Sequence, residues 1–254
     1  MGEGLGTLDG RHRNRILAAL PHDEYARIEP RLERVILEIR AVLIDVNAPI
    51  EYVWFPETFV GSIIGLMSDG TAVETATVGH EGMIGLPVFH GTDRTTTQAF
   101  CQIPGVGFRL PADTFREAVA VGPTMTLLMH RYSQALLTLV GQTSACNRLH
   151  TMKQRCARWL LHCHDRVGSS EGVKEFPLTQ SFLSQMLGVR RTTVTLTARL
   201  LQGAGLIRYS RGVVHIMDRA RLEQTACECY ATVRGHLDEV FGAPPSHSHD
   251  TSAA

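Results

Sequence analysis

The sequence has no long hydrophobic run. Its longest purely apolar stretches are a few residues, far short of the roughly 20 that cross a bilayer, so no membrane partner is expected. No apolar leader is read in residues 1–10, and a cytoplasmic protein is expected. Lysine is almost missing: only Lys153 and Lys174 occur in 254 residues, so nearly all basic character is arginine. Net charge is missing too, with 25 Lys+Arg against 25 Asp+Glu, a balance that usually argues against nucleic acid. The six cysteines (Cys101, Cys146, Cys156, Cys163, Cys227, Cys229) include no Cys-x-x-Cys pair. They fit reduced thiols.

Hydrophobic residues make up 44% and charged residues 20% of the chain. Those values exclude wholesale disorder and a collagen-like or coiled-coil composition. The length suits one large domain or two ordinary ones. The neutral average also hides an asymmetry. Residues 176–221 hold seven Arg, no Lys and one acid, Asp218, leaving 18 bases against 24 acids elsewhere. Arginine forks onto phosphate and guanine, so the split reads as a basic module on an acidic body.

Residues 35–110 read as β structure. Short runs at 35–39, 52–55, 60–64 and 71–78 are separated by Gly and Pro breaks, and Ser68-Asp69-Gly70 is a hairpin signal. Such spacing suggests a small barrel or sandwich. Residues 13–20 read as a short helix stopped by Pro21, with a second helix over 23–34. Residues 124–167 read as helix, with no proline, one glycine (Gly141) and a break near 147–151. Leu128, Tyr132, Ala135, Leu139, Thr143 and Cys146 recur at three- and four-residue steps. This stripe predicts a dimerisation helix held by Leu128, Tyr132, Leu136 and Leu139. The alternative is that both faces pack inside one monomer. Beyond a polar linker at 168–172 the chain reads helix, turn, helix and a two-stranded wing, ending in a hydrophobe-poor tail at 243–254 expected to be disordered.

Residues 178–201 carry the strongest signal. Thr179 can cap a first helix whose buried face is Phe182, Leu183, Met186 and Leu187; Gly188 makes a turn; Val189, Val194, Ala198 and Leu201 anchor a second. This is a helix-turn-helix, whose second helix enters the DNA major groove. Arg191, Thr192, Thr195 and Arg199 share an arc away from the anchors, where base and phosphate contacts are made. Arg190, Thr193, Ser210 and Arg211 complete the expected DNA-binding set. The partner is duplex DNA. An ordinary hairpin with a solvated arginine face is the bland alternative.

The motifs Arg155-Cys156-Ala157-Arg158-Trp159, Leu178-Thr179, residues 186–194 and residues 200–207 resemble the Crp/Fnr family of bacterial transcription regulators. That resemblance implies an α+β chain: an N-terminal β-roll (jelly-roll-like) sensor at 12–122, a long dimerisation helix at 123–150 and a winged helix-turn-helix at 151–222. Residues 223–254 are left as a partly disordered extension. It implies a homodimer on an inverted-repeat operator, RNA polymerase as a further partner, and no enzymatic activity. The matching recognition residues are Arg190-Arg191-Thr192-Thr193-Val194, where the family usually has Ser-Arg-Glu-Thr-Val. The base-reading arginine falls on Arg191, Thr192 replaces the usual Glu, and a second family arginine falls on Leu196. In the sensor, Glu81, Gly82, Gly85, Arg94 and Thr95 match the cyclic-nucleotide cassette. Leu86 replaces its ribose-binding carboxylate and Pro87 removes a backbone donor. Cyclic nucleotide binding is therefore not expected, and the choice between another small effector and none stays open.

Residues 161–165 and Cys227-Glu228-Cys229 contain metal-type ligands without zinc-site spacing, so no metal and no cofactor are expected. Gly2-Glu3-Gly4-Leu5-Gly6 has no preceding strand, and no Ser/His/Asp set or carboxylate pair stands out. A second function class is a ligand- or partner-binding β-roll protein whose C-terminal helices make only protein contacts. The arginine distribution favours DNA.

Overall fold

The computed structural model describes residues 11–167 and 175–241. The linker read at 168–172, the glycines at 2–6 and the tail at 243–254 lie outside the described residues. Helices α1 (Arg15–Ala18) and α2 (His22–Ile28) come first. Strands β1 (Glu33–Leu37), β2 (Val42–Ile44), β3 (Tyr52–Pro56), β4 (Val60–Leu66), β5 (Ala72–Val78), β6 (Thr97–Ile103) and β7 (Gly105–Pro111) follow. Then come α3 (Ala112–Val121), α4 (Pro123–Leu149) and α5 (Met152–Val167). The C-terminal part is β8 (Glu175–Pro177), α6 (Gln180–Met186), α7 (Arg191–Gly203), β9 (Ile207–Ser210), β10 (Val213–Ile216), α8 (Arg219–Thr225) and α9 (Cys229–Phe241).

Local chemistry explains the boundaries. The Asn14 side chain caps α1 by accepting from the amides of Ile16 and Leu17. Its Nδ2 donates to the carbonyls of Pro56 (3.0 Å) and Gly82 (2.8 Å), pinning the helix to the roll. The helix predicted over 23–34 stops at Ile28 and becomes a 3₁₀ turn, Glu29–Arg31, around Pro30. Proline lacks the amide a helix interior needs, and residues from Glu33 on pair with β7 instead. The predicted hairpin forms: Gly70 takes φ 81°, and the Asp69 carboxylate accepts from the Thr71 amide.

The roll is two antiparallel sheets, β1-β7-β3 and β2-β6-β4-β5, around one core. The second sheet is buried on both faces. Gly61 and Ile63 of β4 look toward the core, whereas Val60, Ser62 and Ile64, with Phe100 of β6, meet the C-terminal module. A period of two puts alternate residues on opposite faces, and here both are covered. Phe100 packs edge-on against Phe182 of α6, with ring centroids 5.9 Å apart. The C-terminal module is thereby seated on the roll.

The long helical stretch breaks at His150 and Thr151, inside the predicted window, and His150 is extended. The dimer stripe is different from the expectation. Leu128, Tyr132 and Leu139 are buried within the single chain, and Leu136 is half-buried. The Tyr132 hydroxyl donates to the Met83 carbonyl at 2.9 Å, and Leu139 packs with Ala76 and with Val233 of α9. Periodicity identified a buried face correctly, but that face covers the roll and α9. The exposed apolar residues of α4 are Leu127, Leu137, Val140 and Leu149. In the extension, α9 lies along α4 and is tied to α1 by Arg15, which pairs with Asp238 (3.2 Å) and stacks over the Phe241 ring.

Candidate functional site

Helices α6 and α7 form the expected helix-turn-helix. The Thr179 hydroxyl accepts from the Phe182 amide and caps α6. Gly188 takes φ 62° in the turn, a left-handed conformation that L side chains rarely adopt. Val194, Thr197, Ala198 and Leu201 are buried on one side of α7. Arg190, Arg191, Thr192, Thr193 and Arg199 are exposed, and Thr195 is half-exposed. The Thr195 hydroxyl lies 2.7 Å from Gln180 Oε1, linking the two helices on the exposed side. Leu196 and Leu200 also stand on this face, 60% and 54% exposed. The side chains of Arg191, Arg199 and Arg211 make no hydrogen bond or ion pair among the described residues. Their guanidiniums are therefore available to an external acceptor.

The wing differs from the two strands expected. Strand β8 joins it, giving the order β8-β10-β9; its pairing to β10 spans nearly forty residues, which short-range turn signals do not reveal. At the tip Arg211 and Gly212 take φ 50° and 78° between Ser210 and Val213, as a two-residue hairpin turn requires. Ser210 and Arg211 are both exposed. The Tyr209 hydroxyl donates to the Leu178 carbonyl, holding the wing against the start of α6.

In the roll, the predicted cassette separates into two places. Gly85, Leu86, Pro87 and Thr95 line a cavity of about 510 Å³ between the roll and α4. Gly85 has φ 111°, so its backbone turns sharply at the cavity wall. The lining is mostly apolar and includes Ile63, Ile84, Leu136 and Val140, with His90 and Ser133 as polar groups 3.3 Å apart. Among the described residues no carboxylate or guanidinium lines it. The remaining cassette residues stand elsewhere. Arg94 is turned outward to the Asn47 carbonyl, Gly82 packs against the Tyr132 ring, and Glu81 pairs with Arg166 of α5 at 2.6 Å. Burial alone would push the Glu81 carboxyl up, but the Arg166 guanidinium overrides it and holds the group below its ordinary value. Glu81 therefore joins the roll to α5 and stands outside this cavity. Sequence reading missed His90 and Ser133, which belong to no motif and meet only when α4 lies across the roll.

Glu74 of β5 makes a second bridge. Its carboxylate accepts from Ser62 (2.7 Å), Thr77 (2.8 Å) and the Trp159 indole of α5 (2.7 Å). Together with Arg166, whose Nη2 donates to the Thr77 carbonyl, these bonds orient α5 on the roll.

Residues 154–225 match the family model described as a Crp-like helix-turn-helix domain, a DNA-binding module of transcription regulators. No curated protein matches the chain. Among solved structures, FixK2 from Bradyrhizobium japonicum is similar, with TM-score 0.65, 16% identity, and coverage of 77% of this chain and 98% of that one. A Crp/Fnr-family transcriptional regulator from Thermus thermophilus gives TM-score 0.62 at 19% identity, covering 76% and 98%. The c-di-GMP responsive global regulator CLP of Xanthomonas campestris gives 0.63 at 12%, covering 78% and 100%. No helix among the described residues is long and apolar enough to cross a membrane. The chain thus carries a Crp-like helix-turn-helix at residues 154–225 on a body with the fold of the Crp/Fnr transcription regulators.

Proposed function

We propose that this DNA-binding transcription regulator works as a two-fold homodimer on an inverted-repeat operator, with α7 in the major groove and the wing tip on phosphate. The observation that carries the reading is the exposed face of α7. Arg191, Thr192, Thr195 and Arg199 stand opposite fully buried anchors, and the two guanidiniums have no hydrogen-bond partner among the described residues. Arg191 at the start of the helix suits a forked contact to guanine, and exposed Leu196 suits the methyl group of thymine. In this reading residues 12–122 sense, 123–150 dimerise and 151–222 bind DNA; RNA polymerase is the partner through which a bound dimer acts. The second copy would cover Leu127, Leu137 and Val140 of α4, which one chain leaves exposed. The cavity beside them takes a small, largely apolar effector, because among the described residues no carboxylate or guanidinium lines it to hold a ribose or cyclic phosphate.

Binding titrations on duplex DNA at several salt concentrations test the reading, because each phosphate contact releases counterions and steepens the salt dependence. Salt-insensitive or undetectable binding to every duplex in a random-fragment selection would leave only the partner-binding β-roll alternative. Sedimentation at micromolar concentration that shows only the 28.0 kDa monomer, with and without DNA, would remove the dimer.

A further inference from the structure

Four side chains from two distant segments converge where the extension meets the end of α4. Cys146 lies on the last turns of α4, His150 caps that helix, and Cys227 and Cys229 precede and open α9. One ligand atom from each lies within 4.8 Å of all the others. The Cys146 and Cys227 sulfurs are 3.5 Å apart, and Cys229 Sγ is 3.6 Å from His150 Nδ1. A tetrahedral zinc ion with Zn–S near 2.3 Å and Zn–N near 2.0–2.1 Å needs ligand atoms about 3.5–3.8 Å apart. The three cysteines are buried and free of disulfides.

The surroundings fit the same chemistry. His150 Nε2 sits 3.2 Å from the Glu228 carboxylate, which leaves Nδ1 facing the sulfurs. A carboxylate on the far ring nitrogen is the usual orienting partner of a metal-bound histidine. Gln142 Nε2 points at Cys229 Sγ at 3.1 Å, a hydrogen bond that stabilises a thiolate. The buried Arg158 guanidinium acts on Cys146, and its Nε has no hydrogen-bond partner among the described residues. Cys101 and Cys156 stand outside the cluster.

We infer that Cys146, His150, Cys227 and Cys229 form a closed, four-ligand zinc site that fastens α9 to the end of α4. Binding one Zn²⁺ displaces three thiol protons to solvent and leaves a site of charge −1 beside Arg158. Four protein ligands leave no open position, so the role is structural. Three sulfurs and a nitrogen select a soft or borderline metal over magnesium or calcium. The site stands at the His150–Thr151 break that leads into α5. Loading it therefore fixes the joint between the long helix and the DNA-binding module.

The test uses the full chain purified under reducing conditions. Metal analysis should give about one zinc per chain. X-ray absorption at the zinc edge should give three sulfur ligands and one nitrogen. Cobalt(II) replacing zinc should show thiolate charge-transfer and tetrahedral d–d bands. Cys146→Ser and Cys227→Ser should lose the zinc at least tenfold in affinity, whereas Cys101→Ser keeps it. The wild-type absorption and cobalt spectra decide the matter even where a variant fails to fold. Reduced apoprotein that takes up no zinc at micromolar concentrations overturns the inference. So do a metal shell of oxygens, equal loss of zinc in Cys101→Ser, and a Cys146–Cys227 disulfide that forms in air despite bound zinc.

Discussion

Helices α5 and α7 are both arginine-bearing helices of the C-terminal module, yet they use that residue in opposite ways. Helix α5 turns Arg158 and Arg166 inward, each 6% exposed or less. Arg166 meets the Glu81 carboxylate, the Thr77 carbonyl and its own helix at His162. Helix α7 turns Arg191 and Arg199 to solvent. What separates them is the neighbouring surface: α5 lies across a sheet that offers acceptors to Arg166, and on the outer face of α7 the Arg191 and Arg199 guanidiniums meet no acceptor among the described residues. A guanidinium keeps its charge in either place. Inside, Arg166 is matched by these acceptors, whereas Arg158 Nε has none among the described residues; outside, a guanidinium is free to be matched by a ligand.

That comparison breaks most visibly at Arg166. Arg166→Ala would strand Glu81 as a buried, unpaired carboxylate and should cost about 3–5 kcal/mol in urea unfolding. Arg199→Ala should stay within about 0.5 kcal/mol of wild type in the same experiment. A similar small loss at both positions would mean that the Arg166–Glu81 pair adds no specific stability.

On DNA the order reverses. Arg191→Ala should cost roughly 1–3 kcal/mol on the operator and relax preference at one base position. Equal losses on operator and scrambled duplex would move Arg191 from base reading to phosphate contact.

The two helices also differ in legibility. The α6–α7 unit was readable because its anchors, cap and Gly188 turn lie within some two dozen consecutive residues and follow one period. Most strands of the roll were readable for the same local reason. Partners far apart in sequence were not. Arg166 and Glu81 are 85 positions apart, and Cys146 and Cys227 are 81 apart. Glu81 was accordingly read as part of an effector cassette, and Cys227 and Cys229 as spacing without a metal site. The α4 stripe shows a different limit. Leu128, Tyr132 and Leu139 announce a buried face, but hydrophobic spacing does not say whether the cover is another subunit, the roll or α9. Similarly, nothing in the 223–241 composition disclosed that α9 would find Leu139 and Arg15.

His162 sharpens the contrast through pH. Its ring is buried on α5 beside Tyr230 (centroids 5.2 Å), and burial, then Arg166 and Arg158, push its pKa well below 6.5. Below pH 6.5 the unfolded chain takes up a proton that the folded chain refuses, so acid favours unfolding. Stability should fall by up to about 1.4 kcal/mol per pH unit below that point until the folded pKa is reached. His162→Phe should remove this part of the slope. An unchanged slope would assign the acid sensitivity to other groups.

The smallest effect belongs to the wing. Arg211 stands in a left-handed turn beside Gly212, at the tip of β9 and β10 and away from the face of α7. In the proposed DNA complex a guanidinium there would meet the sugar-phosphate backbone, which is the same for every sequence. Arg211→Ala should therefore weaken operator and scrambled duplex about equally and lower the slope of log affinity against log salt by about one unit. Arg and Ala carry the same Cβ and meet the same cost at φ 50°, whereas glycine accepts it without strain, so Arg211→Gly serves as the second variant and separates turn from charge. If both variants lower the salt slope alike, the lost contact is electrostatic. A loss confined to the operator would instead give the wing a part in reading sequence, and a loss in Arg211→Ala alone would trace to the turn.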